Sequence, residues 1–465
     1  MEGRNLEICF SIEKCALLDG DCVCSCLSPD LQALALCYSS SHLWIYDSAG
    51  PSRQERAQLP HAPSAICFVS NESLAVGMDD GSLHVYDLSS FRSRNGSRGS
   101  PKLVLSKTLH PAARILSFQL FNLLTPDPHL WVLLEGGIVC SLPADTLCPL
   151  PRAQQPHGQR QIACTKVWLP LQKEVAAIAI CSPRPSLLEA TSQYHTCVIV
   201  GAGEDPAIVL YPVTKATKTF ALGHLAWAVA EKLSGAAVWT VKGAIKLVGR
   251  RGKSKLNTSG DSVTSSSSKN QGSPEREKKE RSSDDPVPCE GKTLIEDGRR
   301  RITSTATSGN LVATSDSFGR VMLLDAQARA VVRMWKGLRQ AQCGWLEVIQ
   351  VKGAAGAEVW DEPGGHQGLR PVPMPEGGVV TRYLAILAPQ RGYVELWLMK
   401  HGPCTQVLLV KPGTTLVAIP SSRTHLARCC LLVPTESGKL QVELLIPEAR
   451  HLEVLQGQPQ GDLPS

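Results

Sequence analysis

Three cysteines at alternate positions, Cys22, Cys24 and Cys26, are the side chains in this sequence with the clearest capacity for chemistry. A thiolate can bind zinc or act as a nucleophile, so the group would suit a metal- or thiol-dependent enzyme. Alternation, however, places all three on one face of a β-strand, whereas zinc sites space ligands by roughly two to four residues and usually add a second pair. We therefore predict that these cysteines pack as small apolar residues, with the enzyme as the alternative.

Sequence motifs for nucleotide and hydrolytic chemistry are incomplete. Residues 249–254 read GRRGKS and end like a phosphate-binding loop, but Leu247 lies five residues before Gly252, where that motif has glycine. Gly201 and Gly203 begin a dinucleotide fingerprint whose third glycine is replaced by Pro206. The sequence contains neither a GxSxG nor an HExxH motif. These patterns predict a protein that is not an enzyme and that uses no cofactor.

A strongly basic segment follows Glu231. Every formal charge between Glu231 and Asp261 is positive, in a chain whose net charge is +6. At about 100° per residue, residues 225–250 have the pattern of an amphipathic helix with one apolar and one basic side. Its predicted contact residues are Trp227, Lys232, Trp239, Lys242, Lys246, Arg250 and Arg251. Such a helix docks on a protein surface, which we favour, or lies on an anionic membrane.

The elements around these residues are short strands joined by glycine-containing turns. Within residues 302–346, an alternating apolar run, a turn at 316–319, a strand at 321–325 and a third strand at 331–335 make one blade. Similar units lie at 22–47 and 65–87, and weaker units begin at 130, 197, 383 and 429. Such units cannot bury both faces alone and must stack. We predict an all-β fold, a WD40-like β-propeller of about seven blades with a helical and disordered insertion.

These units and the composition divide the chain into five parts. Residues 1–222 and 293–450 are predicted to form the propeller blades, separated by the basic helix at 223–251 and a Ser- and charge-rich linker at 252–292. The linker has too few apolar residues to fold, and residues 451–465 are a flexible tail. No apolar run approaches the ~20 residues of a membrane-spanning helix, and the N-terminus lacks a signal-peptide pattern. The expected location is the cytoplasm.

Two stretches of the sequence resemble a known family. The first is DSFGRVMLLD at 316–325 followed by RMWKGLRQAQCGW at 333–345, and the second is APQRGYVELW at 388–397 followed by Gly402 and Pro403. Both resemble the N-terminal region of the non-catalytic, regulatory subunit of the Rab-three GTPase-activating protein complex. Ser317, Leu338 and Gln340 depart from the family's pattern. Because that subunit is much longer, we expect a fragment, an isoform or a shortened relative.

This resemblance implies a subunit that works by binding. The implied partners are the catalytic subunit of the complex and Rab GTPases of the Rab-three and Rab-eighteen type. The resemblance also implies promotion of nucleotide exchange at the endoplasmic reticulum, with peripheral contact to that membrane. The alternative function is a membrane-surface propeller that binds anionic lipid through its basic insertion.

The predicted contact surface lies within and just after the blade at 302–346. Its residues are Arg320, Arg333, Trp335, Lys336, Arg339 and Trp345. Exposed tryptophan and arginine side chains are frequent binding hot spots. A tryptophan that ends a blade strand is also a common core residue, so burial is the alternative for Trp335 and Trp345.

Overall fold

Seven β-sheets form a seven-bladed β-propeller in the computed structural model. It describes residues 6–13, 21–48, 54–92, 100–121, 128–148, 162–181, 194–216, 286–351, 378–399, 401–419, 428–436, 439–445 and 447. Short strands of alternating apolar residues bury both faces only when sheets stack radially, which is why the repeated units assemble in this way. The predicted propeller and its approximate blade number are therefore confirmed.

The first three blades follow one another along the chain. Blade 1 contains β2 (Cys22–Leu27), β3 (Ala33–Tyr38), β4 (His42–Asp47) and β5 (Gln54–Gln58). Blade 2 contains β6 (Pro63–Phe68), β7 (Ser73–Met78), β8 (Ser82–Asp87) and β9 (Lys102–Thr108), with the short helix α1 (Ser89–Arg92) between the last two strands. Blade 3 contains β10 (Ile115–Phe121), β11 (His129–Leu134), β12 (Ile138–Pro143) and β13 (Thr165–Trp168), with a 3₁₀ turn at Ala144–Leu147.

The next three blades include strands from both sides of the predicted insertion. Blade 4 contains β14 (Glu174–Cys181), β15 (Tyr194–Glu204), β16 (Ile208–Ala216) and β18 (Lys292–Ile295), and β17 (Val287–Pro288) pairs with β13 of blade 3. Blade 5 contains β19 (Ile302–Ser308), β20 (Leu311–Asp316), β21 (Arg320–Asp325) and β22 (Ala330–Lys336). Blade 6 contains β23 (Gln342–Val351), β24 (Gly378–Ala388), β25 (Tyr393–Leu398) and β26 (Cys404–Leu409).

Blade 7 joins the two ends of the chain. It contains β27 (Thr415–Ile419), β28 (Arg428–Pro434), β29 (Lys439–Leu445) and, as its outermost strand, β1 (Leu6–Glu13). β1 pairs with β29 in antiparallel register from Leu6 opposite Leu445 to Glu13 opposite Lys439. The ring of blades is therefore closed by backbone hydrogen bonds between the first and last strands.

Two details of the predicted organisation differ from the structure. The sequence predicts three strands for the blade at 302–346, but β19 adds a fourth, innermost strand whose residues are mostly serines and threonines. Such a strand has no apolar run that would reveal it in the sequence. The linker predicted at 252–292 also extends too far, because β17 and the first residue of β18 lie inside that range. Both strands pair with blade strands that precede the insertion.

The apolar core lies between neighbouring blades. Between blades 5 and 6 it combines Trp335 and Leu338 with Trp345, Leu384 and Ile386. Between blades 6 and 7 a similar cluster forms around the buried side chains of β24 and β28. Neighbouring blades cover both faces of each sheet. Most residues of the second and third strands of a blade are therefore buried, whichever face their side chains point to.

Candidate partner-binding surface

At one end of each blade, the turn between the second and third strands lies beside the connection to the next blade. This follows from the antiparallel order of the strands, because the second and fourth strands of a blade both finish at the same end of the sheet. In blades 5 and 6 these segments are residues 316–320, 336–342, 388–393 and 409–415. We call these four segments the basic rim.

Direct contacts join the segments of the basic rim. Gly319 lies against Arg339, since a Cβ built on this glycine would be 2.8 Å from Arg339 Cγ. A Cβ on Gly337 would likewise be 2.7 Å from a terminal nitrogen of Arg391. Gln390 Nε2 donates a hydrogen bond of 3.4 Å to Gln340 Oε1. The basic side chains of blades 5 and 6 therefore belong to one continuous surface.

The exposed charges of the basic rim are all positive. Its positive residues are Arg320, Lys336, Arg339, Arg391 and Lys411, and its single acidic residue is Asp316. Lys336, Arg339, Arg391 and Lys411 are exposed and Arg320 is half-buried, whereas Asp316 is buried. Positive charges grouped without exposed acids create a field that attracts an acidic partner.

Asp316 organises the turn of blade 5 from below the surface. Its Oδ1 accepts hydrogen bonds from the backbone N–H groups of Phe318 (3.0 Å) and Arg320 (2.8 Å). Its Oδ2 lies 3.4 Å from Nε of the buried Arg300, which also contacts Asp297 at 3.0 Å. In the turn that these bonds hold, the Phe318 side chain is 50% exposed. The guanidinium carbon of Arg320 lies 5.9 Å from the centroid of the Phe318 ring. A large apolar side chain thus projects from the middle of the basic rim.

Both tryptophans predicted for the contact surface belong to the core. Trp335 is 8% exposed and Trp345 is 3% exposed, and both pack in the cluster between blades 5 and 6. Trp335 also meets Trp397 edge-on at 5.5 Å between ring centroids. Of the two possibilities given by the sequence, exposure or burial, the structure therefore shows burial for both tryptophans, which face the neighbouring blade rather than solvent.

Arg333 is also held within the structure. Its guanidinium carbon lies 4.2 Å from the centroid of the Trp397 ring and 5.0 Å from that of Trp335. Its Nη1 donates a hydrogen bond of 2.7 Å to the carbonyl oxygen of Gly402. This arrangement links blades 5 and 6 through cation–π contacts, so Arg333 is a packing residue at the blade junction.

The structure adds three residues to the predicted surface. Phe318, Arg391 and Lys411 lie on the basic rim beside Arg320, Lys336 and Arg339. A signal for the first two was present in the sequence, because Phe318 and Arg391 each precede the glycine of a turn between the second and third strands. Equivalent turns of successive blades lie at the same end of the propeller. Alignment of the repeats therefore predicts that these two residues share one surface.

The predicted helical contact residues lie outside the described residues. These are Trp227, Lys232, Trp239, Lys242, Lys246, Arg250 and Arg251. Their role in binding a partner or a membrane stays a prediction.

The three cysteines at the start of blade 1 differ in exposure. A β-bulge between Cys22 and Cys24 interrupts the pairing of β2 with β3, and Cys22 is exposed, Cys24 half-buried and Cys26 buried. Cys26 packs with the side chains between blades 1 and 2, which confirms the packing prediction for this residue. The same prediction is wrong for the exposed Cys22, because the bulge interrupts the alternation that would place it beside Cys26. Burial raises the pKa of the neighbouring Cys67 thiol to about 12 and that of Cys26 well above its ordinary value. These two side chains are therefore protonated thiols at neutral pH.

In the part of the chain that the structure describes, no three His, Cys, Asp or Glu side chains are grouped so that they could hold a metal ion. No helix in the same part of the chain has the length and apolar character needed to cross a membrane.

Comparisons with known proteins return both structures and a family. A chain from the crystal structure of BBS1N in complex with ARL6DN, soaked with lead, is 13% identical, with a TM-score of 0.48 over 96% of this chain and 97% of the other. A chain from the crystal structure of the mitotic checkpoint complex is 9% identical, with a TM-score of 0.44 over the same shares. The family model described as the N-terminus of the Rab3 GTPase-activating protein regulatory subunit matches residues 154–417. The matched range includes the whole basic rim.

Proposed function

Because the chain belongs to the family of the Rab3 GTPase-activating protein regulatory subunit N-terminus, we propose that it acts without catalysis, as a regulatory or scaffolding subunit that controls Rab GTPases by binding. The proposed partner is the catalytic subunit of the complex. Rab GTPases of the Rab-three and Rab-eighteen type are then bound by the assembled complex. Nucleotide exchange at the endoplasmic reticulum is the proposed second activity of that assembly.

The basic rim is the observation that supports this proposal most directly. Lys336, Arg339 and Arg391 are exposed, they are not neutralised by an exposed acid in the four rim segments, and Phe318 projects among them. An aromatic anchor surrounded by positive charge is complementary to an acidic surface with an apolar pocket. We propose that such a surface on the catalytic subunit docks here.

Co-elution on a sizing column tests this function. The full chain would be co-expressed with the catalytic subunit of the Rab-three GTPase-activating protein complex, and we expect a stable complex. Lys336→Glu with Arg339→Glu should lower the affinity at least about tenfold, because each change places an acid opposite the partner's acids.

A matched control comes from the same end of the propeller. Arg114 and Lys173 are exposed and lie in the connections after blades 2 and 3. Arg114→Glu with Lys173→Glu makes the same change in net charge away from the basic rim and should leave the affinity within about twofold. Equal losses in both double variants would mean that net charge, and not the basic rim, drives binding. Unchanged binding by the rim variant, in a folded protein, would remove the rim from the interface.

The alternative function, binding of anionic lipid through residues 223–255, predicts a different result. Flotation with vesicles of phosphatidylcholine and phosphatidylserine would then recover the full chain and lose it after deletion of 223–255. Recovery that is indifferent to added Rab proteins would favour the membrane adaptor. Absence of flotation together with co-elution would favour the regulatory subunit.

A further inference from the structure

Among the residues that the structure describes, the outer edge of blade 6 lacks the protection that the other blades have. An outermost strand exposes unpaired backbone N–H and C=O groups, and proteins usually guard such edges with charged residues, proline or a covering segment. The sequences of the other outer strands contain charged residues: Glu55 and Arg56 in β5, Lys102 and Lys107 in β9, Lys292 in β18, Lys336 in β22, and Glu7 and Glu13 in β1. In blade 3, β13 contains Lys166 and is covered by β17, which ends at Pro288.

β26 has none of these features. Its sequence, CTQVLL, contains no charged residue and no proline, and it is the last strand of its sheet among the residues that the structure describes. Leu409 is 86% exposed and Val407 is 57% exposed. Their side chains point to the same side of the strand, because they are two positions apart. An uncharged edge with two exposed apolar residues is a template for another strand.

This edge runs directly into the basic rim. Leu409 pairs with Tyr393 of β25, and the Tyr393 hydroxyl accepts a hydrogen bond of 2.9 Å from Arg391 Nη1. Two residues after Leu409 comes the exposed Lys411. A polypeptide paired with β26 would therefore meet positive charge at the end of the strand where the rim begins.

We propose that β26 is a docking edge at which an extended, acidic segment of the partner polypeptide adds as a fifth strand of blade 6. Backbone hydrogen bonds supply the affinity, apolar side chains of the segment cover Val407 and Leu409, and its carboxylates lie on Lys411 and Arg391. Blade 3 already accommodates a fifth strand, since β17 pairs in parallel with β13 through Val287 and Pro288. This inference rests on the proposed function, which supplies the partner.

Hydrogen exchange measured on the wild-type complex is the first test. The full chain is compared alone and with the co-expressed catalytic subunit. In the free chain the amides of β26 that point away from β25 should exchange quickly, and in the complex they should exchange at least about tenfold more slowly. Slow exchange of these amides in the free chain would overturn the inference, because another segment of the chain would already cover the edge.

A pair of lysine substitutions tests the edge independently. Val407→Lys with Leu409→Lys should reduce the affinity at least about tenfold, although it adds positive charge that would otherwise favour an acidic partner. The matched control is Leu103→Lys with Val104→Lys, which changes two exposed apolar residues on the outer strand β9 of blade 2. This control should remain within about twofold of the wild type.

The outcomes separate this inference from the proposed function. A complex whose β26 amides are unprotected, or that tolerates the β26 lysines, overturns the docking edge and leaves the regulatory function intact. No complex with the wild-type chain overturns both. Protection of β26 together with selective loss of binding in its lysine variant supports both.

Discussion

The turns between the second and third strands of blades 2 and 5 share one backbone arrangement. They are residues 78–82 and 316–320. In each, the glycine in the fourth position has a positive φ, 82° for Gly81 and 77° for Gly319. Each glycine N–H donates to the carbonyl of the first residue of its turn, at 3.4 Å in blade 2 and 3.1 Å in blade 5. Glycine is required here because other residues rarely adopt this conformation.

Both turns also contact the following connection in the same way. Leu109 N–H donates to the Gly81 carbonyl at 3.0 Å, and Leu338 N–H donates to the Gly319 carbonyl at 2.8 Å. The second turn residue in each blade donates to the connection that precedes the blade, Asp79 to Ala62 and Ser317 to Arg301. These bonds show that His61 and Arg300, one residue earlier, are equivalent positions.

The side chains at these equivalent positions differ in burial. His61 Nε2 lies 3.3 Å from Asp80 Oδ2, and the two side chains are 51% and 35% exposed. Burial alone would raise the pKa of Asp80, but hydrogen bonds from Ser82 and the nearby His61 outweigh it, and the pKa is lowered. Arg300 and Asp316, in contrast, are 7% and 0% exposed. The same backbone thus supports an exposed histidine–aspartate contact in blade 2 and a buried arginine–aspartate ion pair in blade 5.

The exposed positions of the two turns differ in chemistry. Asp80 precedes the glycine of blade 2, and Phe318 precedes that of blade 5. The glycine conformation and the glycine's backbone hydrogen bonds are the same in both turns. The comparison shows that this shared backbone accepts either an acid or an aromatic ring at the position before the glycine.

The largest expected effect is the loss of the buried cation. Arg300→Met leaves the Asp316 carboxylate buried without its partner and should cost about 3–5 kcal/mol of unfolding free energy. His61→Gln removes an exposed partner and should cost at most about 1 kcal/mol. Thermal and urea unfolding at pH 7 would measure both. Equal effects would show that the two contacts contribute alike to the free energy of unfolding, contrary to their difference in burial.

A second variant identifies the cause of the loss. Adding Asp316→Asn to Arg300→Met removes the buried charge while keeping an oxygen that can accept the turn's N–H bonds. Much of the lost stability should return. A double variant no more stable than Arg300→Met would assign the loss to packing.

The next largest effect is expected from alanine substitution of the turn glycines, which should lower the free energy of unfolding by different amounts. A Cβ on Gly81 would lie 2.1 Å from the His110 carbonyl oxygen, whereas one on Gly319 would lie 2.8 Å from Arg339 Cγ, a side-chain atom that can move. Both alanine variants carry the cost of a positive φ, so Gly319→Ala should cost about 1–2 kcal/mol and Gly81→Ala about 3 kcal/mol or more. Thermal unfolding of the two variants, side by side with wild type, gives the order. The reverse order would contradict the packing described.

The smallest effect concerns binding rather than stability. Phe318→Asp gives the blade 5 turn the residue of blade 2 and should lower the affinity for the catalytic subunit about tenfold, because it removes the aromatic anchor and adds an acid to the basic rim. The unfolding temperature should change little, since the side chain is half exposed. Asp80→Asn is the matched control and should not affect binding. Isothermal titration of the purified components would detect a tenfold change.

Much of the architecture follows from local sequence patterns. The alternation in β20 and β21 and the turn at 316–320 were visible because neighbouring residues determine them. The inner strand β19 was missed because its serines and threonines lack an apolar pattern. Local sequence patterns do not predict the pairing of β1 with β29 either, since it joins residues at opposite ends of the chain.

The candidate site was only partly predictable for the same reason. Lys336 and Arg339 are exposed, as a contact surface requires, whereas Trp335 and Trp345 lie in the core, the alternative that the sequence left open. Period two shows that Arg333 and Trp335 share a strand face. It does not show that blade 6 covers that face with Trp397.

By itself, the sequence determined where strands and turns occur, because turn glycines and apolar alternation act over a few residues. It also determined the family, through stretches on both sides of the 346–387 interval. Only the tertiary structure decided which segments meet. Gly337 and Arg391 are distant along the chain and become neighbours because radial stacking brings the connection after blade 5 and the turn of blade 6 to the same end of the propeller.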